Sequence, residues 1–289
     1  MNIVFNPVAG RRRTQAFWRV LDILSANGVR VDLLETRFPG HAETLAREAV
    51  AAGAELVVAA GGDGTIAEVA NGLIGSGAKL GVIPIGTANV LAHELDLPFS
   101  PRGIAAALAF GRTRVLWPGM MSGAEGERLF TQMIGVGFDG HVVHRVSPGM
   151  KRVLGRGAYA LCALRALAVY PFTPIMLRID GCDTQTCTAI VSKGRFYGGA
   201  HLLARDACAA QPGFSVSLFD RSSPWAAMMH GMALPFGLVG RMRGVRQMRA
   251  REIVFTGNSH VPAQSDGDAA GSTPLSITDA PMPIRVVTG

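Results

Sequence analysis

Two glycine-rich turns, Gly61-Gly62-Asp63-Gly64-Thr65 and Pro84-Ile85-Gly86-Thr87-Ala88-Asn89, each stand directly after a short apolar run and directly before a helical repeat. The surrounding residues keep the same rhythm. Asn2 to Phe5 reads as a strand, and Phe17, Val20, Leu21 and Leu24 recur at helical spacing before Gly28 stops the helix. Val29 to Glu35 is a second strand, His41 to Ala52 an alanine-rich helix closed by Gly53, and Glu55 to Ala60 a continuously apolar strand. Ile66, Val69, Ala70 and Leu73 mark the helix after it; Leu80 to Pro84 is the next strand, with helices at Asn89 to Leu95 and Ile104 to Phe110. This alternation predicts an α/β domain over residues 1–117, with a mainly parallel sheet covered on both faces and ligands at the carboxyl ends of its strands.

After Trp117 the pattern changes. Strand-like segments run at Leu129 to Gly135, Ile175 to Ile179, Cys187 to Val191, Phe214 to Phe219, Glu252 to Thr256, Pro274 to Ile277 and Ile284 to Val287, separated by turn-rich pieces. Two helices interrupt them, Gly157 to Tyr170 and Trp225 to Arg241. Residues 118–289 are therefore expected to form an antiparallel β-sandwich domain.

Hydrophobic residues at 48% and charged residues at 17% exclude wholesale disorder and coiled coil. The 28 basic residues outnumber the 21 acidic ones for a net charge of +7, and only Lys79, Lys151 and Lys193 are lysines. Acidic partners are favoured, but 7% aromatics without a recognisable module argues against nucleic acid. Cys162, Cys182, Cys187 and Cys208 lack paired spacing for zinc and are read as reduced thiols of a cytoplasmic protein. The N-terminal apolar run precedes its arginines, the reverse of a secretory signal.

Several familiar signals are incomplete in this chain. Gly135 to Gly140 spells GxGxxG, yet no acidic residue stands between His141 and Ile179 to complete a dinucleotide fingerprint. His141 and His144 lack a third ligand, and neither a lysine-bearing phosphate loop nor a GxSxG elbow is present.

In the first glycine turn, backbone amides can approach phosphate oxygens closely, and Thr65 is placed to cap the following helix. Asp63 among such amides makes sense beside a magnesium ion or a donor hydroxyl. Thr87 and Asn89 of the second turn offer further hydrogen bonds. A third turn, Asn6-Pro7-Val8-Ala9-Gly10, leads into Arg11, Arg12 and Arg13.

These three turns, in this order, resemble the catalytic domain of the diacylglycerol kinase family, which includes bacterial lipid kinases and is related to sphingosine kinases. The likeness extends through Gly135 to Asp139, Lys151 to Tyr159, Lys193 to Gly199 and Asp266-Gly267-Asp268. It implies ATP- and magnesium-dependent phosphorylation of a lipid hydroxyl, with the site in the cleft between an α/β domain and a β-sandwich domain. By position, Asn6, Thr36, the segment Gly61, Gly62, Asp63, Gly64, Thr65, Ile66 and Ala67, and Thr87 fall on the family's nucleotide-binding residues; Gly86 and Asn89 belong to the same turn. Asp63 would meet the metal through ATP-magnesium. Asp268 falls where the family has a glutamate as proton acceptor, so Asp268, Asp266 and Asp63 are the catalytic candidates. Relatives also carry aspartates that hold a structural magnesium ion, and the aligned segment Ala210-Gln211-Pro212-Gly213 has none. That auxiliary site is expected to be empty or weak.

Positive charge gathers in the second half. No acid interrupts His141 to Ile179, which holds Arg145, Lys151, Arg152, Arg156, Arg165 and Arg178. The stretch Arg221 to Arg251 holds Arg241, Arg243, Arg246 and Arg249 around the apolar run Trp225 to Gly240, about 16 residues against the roughly 20 that span a bilayer. Peripheral attachment to an anionic membrane surface is expected. The expected partners are a lipid substrate, that surface and a second copy of the chain. Alternatives are a kinase for NAD, a sphingoid base or another non-glycerolipid alcohol, or a non-catalytic nucleotide or lipid sensor.

Overall fold

Strand and helix alternate through the first 116 residues of the structure, a computed structural model. It describes residues 1–9, 14–155, 157–220, 223–257 and 260–289, with the side chains of residues 148 and 152 left aside. The expectations attached to Gly10, Arg11, Arg12, Arg13, Arg156, Arg221 and the Arg152 side chain lie outside the described residues.

The elements in order are β1 (Asn2–Phe5), α1 (Thr14–Ala26), β2 (Asp32–Glu35), α2 (His41–Ala51), β3 (Leu56–Gly61), α3 (Asp63–Leu73), β4 (Lys79–Pro84), α4 (Val90–Glu94), α5 (Pro101–Phe110) and β5 (Arg112–Leu116). Helix α1 forms because Phe17, Val20 and Leu24 share one face and are buried, with Phe17 stacked on Phe5 at 4.4 Å between ring centroids. Helix α2 buries only alanines, Ala42, Ala46 and Ala49. Small side chains there let α3 approach so closely that a Cβ on Gly72 would fall 2.6 Å from the Glu43 carbonyl. Ser100 starts α5, accepting the Gly103 amide at 3.2 Å with Pro101 at the first helical position.

The second set comprises β6 (Gly119–Gly123), β7 (Gly126–Phe130), β8 (Met133–Gly137), α6 (Phe138–His144), α7 (Pro148–Leu154), α8 (Gly157–Val169), β9 (Ile175–Ile179), β10 (Cys182–Thr186) and β11 (Thr188–Ser192). It continues with β12 (Phe196–Tyr197), β13 (His201–Leu202), β14 (Phe214–Phe219), α9 (Pro224–Ala233), β15 (Val245–Ala250), β16 (Ile253–Phe255), β17 (Pro262–Ser265), β18 (Asp268–Ser272) and β19 (Leu275–Asp279). The final strand is β20 (Ile284–Thr288).

The chain divides into residues 1–118 with 281–289 as one unit and 119–280 as the other. The first unit's sheet runs β2-β1-β3-β4-β20-β5, parallel throughout except for β5. A continuous domain 118–289 is thus not observed. Strand β20 leaves the sandwich and takes the place between β4 and β5, burying Ile284, Val286 and Val287.

The second unit has two six-stranded antiparallel sheets, β10-β9-β16-β19-β6-β7 and β15-β14-β11-β8-β17-β18, beside the short ladder β12-β13. Their inner faces share a core that includes Phe130, Phe214, Phe255, Ile134, Leu177 and Ile277. This is the α/β and β-sandwich pair the sequence predicts, with two local departures. The strand expected over 129–135 is split at Thr131–Gln132 into β7 and β8. The helix expected from Trp225 to Arg241 stops at Ala233 and gives way to 3-10 turns at Leu234–Phe236 and Val239–Arg241, because Pro235 has no amide to continue the helix and Gly237 turns left-handed at φ 63°. The four cysteines are free.

Candidate active site

Strands β3 and β4 are parallel neighbours with Gly61 opposite Pro84, so the two glycine turns leave the sheet side by side. Ile85 and Gly86 donate their amides to the Gly61 carbonyl at 3.2 and 3.1 Å. A Cβ on Gly86 would collide with the Gly62 Cα, and one on Gly61 would collide with Thr65. Both positions therefore admit glycine alone, for want of space. Strands β1 and β2 end level with them, Phe5 opposite Glu35 and Ala60, which brings Asn6 and Thr36 to the same edge.

Thr65 does not cap α3; Gly62 precedes that helix in an extended conformation with no capping side chain. The Thr65 hydroxyl instead accepts from Asn6 Nδ2 at 3.0 Å, while Asn6 Oδ1 takes the Val8 amide at 3.0 Å, tying the third turn to the first. The Thr36 amide donates to the Phe5 carbonyl at 2.9 Å. Ile66 and Ala67 are buried and their side chains are spent on the core, whereas Thr87 is exposed. Asp63 is buried, and its Oδ1 accepts the Leu91 amide at 3.2 Å, satisfying one of the donors that the start of α4 leaves open. One donor beside this carboxylate is thus a backbone amide of the second turn's helix.

Asn89, in the left-handed region at φ 50°, donates from Nδ2 to the Gly86 carbonyl at 2.9 Å. Its Oδ1 is buried with no hydrogen-bond partner among the described residues. A buried acceptor in that condition suits a ligand that brings an N–H or O–H. With the side-chain-free Gly62–Gly86 contact, these residues fit a phosphorylated ligand bearing donor groups. Among the described residues no three His, Cys, Asp or Glu side chains gather as a cation site, so any magnesium here would share Asp63 with oxygens the ligand supplies.

In the second unit, β17 and β18 are joined by Asp266-Gly267, both at positive φ (49° and 87°), the geometry of a two-residue hairpin turn. The two aspartates of this hairpin have opposite fates. Asp266 is buried and accepts four hydrogen bonds: the Thr131 amide at 2.7 Å, the Thr131 hydroxyl at 3.0 Å, and the Gln132 and Met133 amides at 2.9 Å each. Burial pushes its carboxyl above the ordinary value, and the Thr131, Met133 and Gln132 amides offset part of that rise. With every lone pair engaged, Asp266 has none for a substrate proton. It also explains the broken strand, since the amides it collects belong to the β7–β8 connection.

Asp268 keeps 45% of its side chain exposed and accepts from Lys151 Nζ at 2.8 Å. Lys151 also donates to the Gly267 carbonyl at 3.1 Å, as does the Tyr159 hydroxyl at 3.0 Å. Burial lowers the Lys151 ammonium, but Asp268 and Tyr159 outweigh it and its pKa lies above 10.5. Behind the turn, the Gly267 amide donates to Gln264 Oε1 at 2.8 Å, and Gln264 Nε2 to Asp139 Oδ2 at 2.8 Å. Asp139, buried and raised by that burial, also accepts from the Tyr197 hydroxyl. Gly135 has no room for a side chain beside it. The GxGxxG spelling thus serves a buried carboxylate. His144 Nε2 lies 2.8 Å from the Ala263 carbonyl, and His141 sits against Arg145 and the Tyr170 ring.

Lys193 has a side chain with 0% exposure. Its ammonium donates to the carbonyls of Gln211 at 3.1 Å and Gly213 at 3.0 Å and to Asp279 Oδ1 at 2.7 Å, while Asp279 Oδ2 accepts the Gly213 amide at 2.7 Å. Burial lowers its pKa below 10.5 against the pull of Asp279. The segment expected to lack a structural metal thus holds a lysine cation among its oxygens. Lys193, Asp279, Tyr197 and Gln264 were not singled out in the sequence as site residues; a lysine in an arginine-rich chain was the available signal for the first.

The family model of the diacylglycerol kinase catalytic domain matches residues 1–120, and that of the YegS C-terminal NAD kinase beta sandwich-like domain matches residues 132–288. YtlR of Bacillus subtilis strain 168, a protein carrying a lipid kinase name, is 28% identical over 313 residues, covering 99% of this chain and 98% of that one. A YegS-like protein of Pseudomonas putida, also named as a lipid kinase, is 34% identical over 188 residues, 64% of this chain and 62% of that one. A solved structure from Bacillus anthracis str. Sterne, described as a diacylglycerol kinase, shares the fold at a TM-score of 0.80 and 19% identity, covering 100% of this chain and 94% of that one. The paired glycine turns, the Asp266-Gly267-Asp268 hairpin and two family models that between them span both units agree: the chain belongs to the diacylglycerol kinase catalytic-domain family of lipid kinases, with a YegS-type C-terminal sandwich.

Proposed function

We propose that the chain transfers the γ-phosphoryl group of ATP to the hydroxyl of a lipid alcohol of the diacylglycerol type. The observation that carries this reading is the division between the two hairpin aspartates: one is spent on the fold, and the other is exposed beside a lysine. In this reading the Gly61–Thr65 and Gly86–Asn89 turns hold the nucleotide phosphates with backbone amides, and Asn89 Oδ1 accepts from a donor group of the nucleotide. Magnesium arriving with ATP would neutralise phosphate charge, with Asp63 the carboxylate of these turns. Asp268 takes the proton as the lipid O–H bond breaks; the new O–P bond forms and ADP leaves with the electron pair of the broken bridge. Lys151 holds the Asp268 carboxylate in place until the hydroxyl arrives.

The test is ADP formation across micelles of diacylglycerols, monoacylglycerols, phosphatidylglycerol and sphingoid bases. Asp268→Asn is expected to lower turnover by about 10²–10⁴-fold with nucleotide affinity nearly unchanged. No lipid-dependent ADP from any class, or full turnover in Asp268→Asn, would remove this mechanism.

A further inference from the structure

Helix α8 is inverted relative to an ordinary surface helix. It buries small residues, Ala158, Cys162 and Ala166, at four-residue steps, while Leu164 and Val169 stand 61% and 62% exposed. Helix α9 packs against α8 and buries none of its own residues. Trp225 on α9 is 67% exposed and Phe236, in the turn that follows, 75%. Water-soluble helices turn large apolar side chains inward, so two adjacent helices presenting them outward mark an interaction surface.

Charge selects the partner. No Asp or Glu occurs in residues 141–179 or 221–251, and Arg165, Arg241 and Arg243 are exposed on and beside these helices. A second copy docked on this face would set arginines against arginines. An anionic bilayer offers phosphates to the arginines and an apolar layer to Trp225, Phe236 and Leu164. We propose that α8 and α9 lie in the interface of an anionic lipid bilayer, an inference that rests on the lipid kinase reading for its purpose but on exposure and charge for its location. Among the described residues no helix is long and apolar enough to cross a membrane, so the helices lie along the surface. The same helical segment carries Lys151 on α7 and Tyr159 on α8, which hold the Asp266-Gly267-Asp268 turn through the Gly267 carbonyl.

Flotation of the full chain with phosphatidylglycerol-rich and with pure phosphatidylcholine vesicles, without nucleotide, tests this. Binding is expected on the anionic vesicles at low salt, to fall at least tenfold in Trp225→Ser/Phe236→Ser and in Arg241→Glu/Arg243→Glu, and to be weak on neutral vesicles. Absence of binding to anionic vesicles, or binding by both variants equal to that of the unmodified chain, overturns the proposal; so does a concentration-dependent dimer in sedimentation that the same variants dissolve. Turnover of detergent-dispersed lipid separates the two readings. Kinase activity in micelles without vesicle binding removes the docking surface alone, and vesicle binding without any kinase activity removes the lipid kinase reading alone.

Discussion

The glycine turns of the first unit and the hairpin network of the second build their candidate sites from opposite materials. In the first, residues matter by leaving space: Gly62 and Gly86 let two backbones touch, Gly61 makes room for the Thr65 side chain, and few charges are involved. In the second, residues matter by filling it: Asp266, Asp139 and Lys193 are buried ionisable groups, each held by three or more hydrogen bonds or by close side-chain partners. The first arrangement is suited to receiving a ligand rich in charge and oxygen. The second spends its charge internally and exposes one carboxylate.

The sharpest way to break this contrast is Lys193→Met. It removes the ammonium and leaves Asp279 and the Gln211 and Gly213 carbonyls buried around an apolar side chain, which is expected to destabilise the second unit by about 3–5 kcal/mol. Urea unfolding followed by tryptophan fluorescence would measure it, and a near-wild-type midpoint would show that the internal charge is dispensable.

A smaller effect is expected in the first unit. Gly86→Ala should push the two turns apart and lower nucleotide affinity and turnover by about 100-fold with little loss of stability. Gly62→Ala should be mild by comparison, because its Cβ meets only the Gly86 Cα at 3.4 Å. Calorimetry with ATP on both variants decides; equal losses would mean that backbone approach at Gly86 is not what matters.

The finest test uses the scarcity of lysine. With only Lys79, Lys151 and Lys193 to assign, a lysine ε-carbon NMR titration should place Lys193 below 10.5 and Lys151 above it. The signs differ in their meaning for stability. Lys151, raised in the folded state, contributes stability that is complete below pH 10.5 and is lost as pH climbs through its folded value. Lys193, lowered, is penalised at low pH, and that penalty is relieved as pH rises from its folded value toward 10.5. The reverse order of the two titrations would contradict the burial and pairing described above.

What the sequence made legible follows the same division. The turns of the first unit could be read because glycine requirements are local: a strand, a turn and a helix are contiguous in the chain. The break at Thr131–Gln132 could not, since it is imposed by Asp266 across a separation of 135 residues. Lys193 and Asp279 are likewise 86 residues apart. Asp266 and Asp268 look alike as a polar pair, and only the long-range partners assign one to the fold and leave the other exposed. The apolar run that predicts a helix to Arg241 yields to Pro235 and Gly237, whose effect on the backbone is stronger.

The position of β20 has a consequence for the order in which the molecule can be completed. During synthesis the strand that closes the first sheet leaves the ribosome only after all of residues 119–280 have been made. Until then β4 and β5, its two neighbours, have unpaired edges and lack the buried Ile284, Val286 and Val287, a state open to misassociation. A fragment cut at residue 118 would remain in that state permanently, so in this chain the first unit cannot mature ahead of the sandwich and is not a module that could be traded away alone.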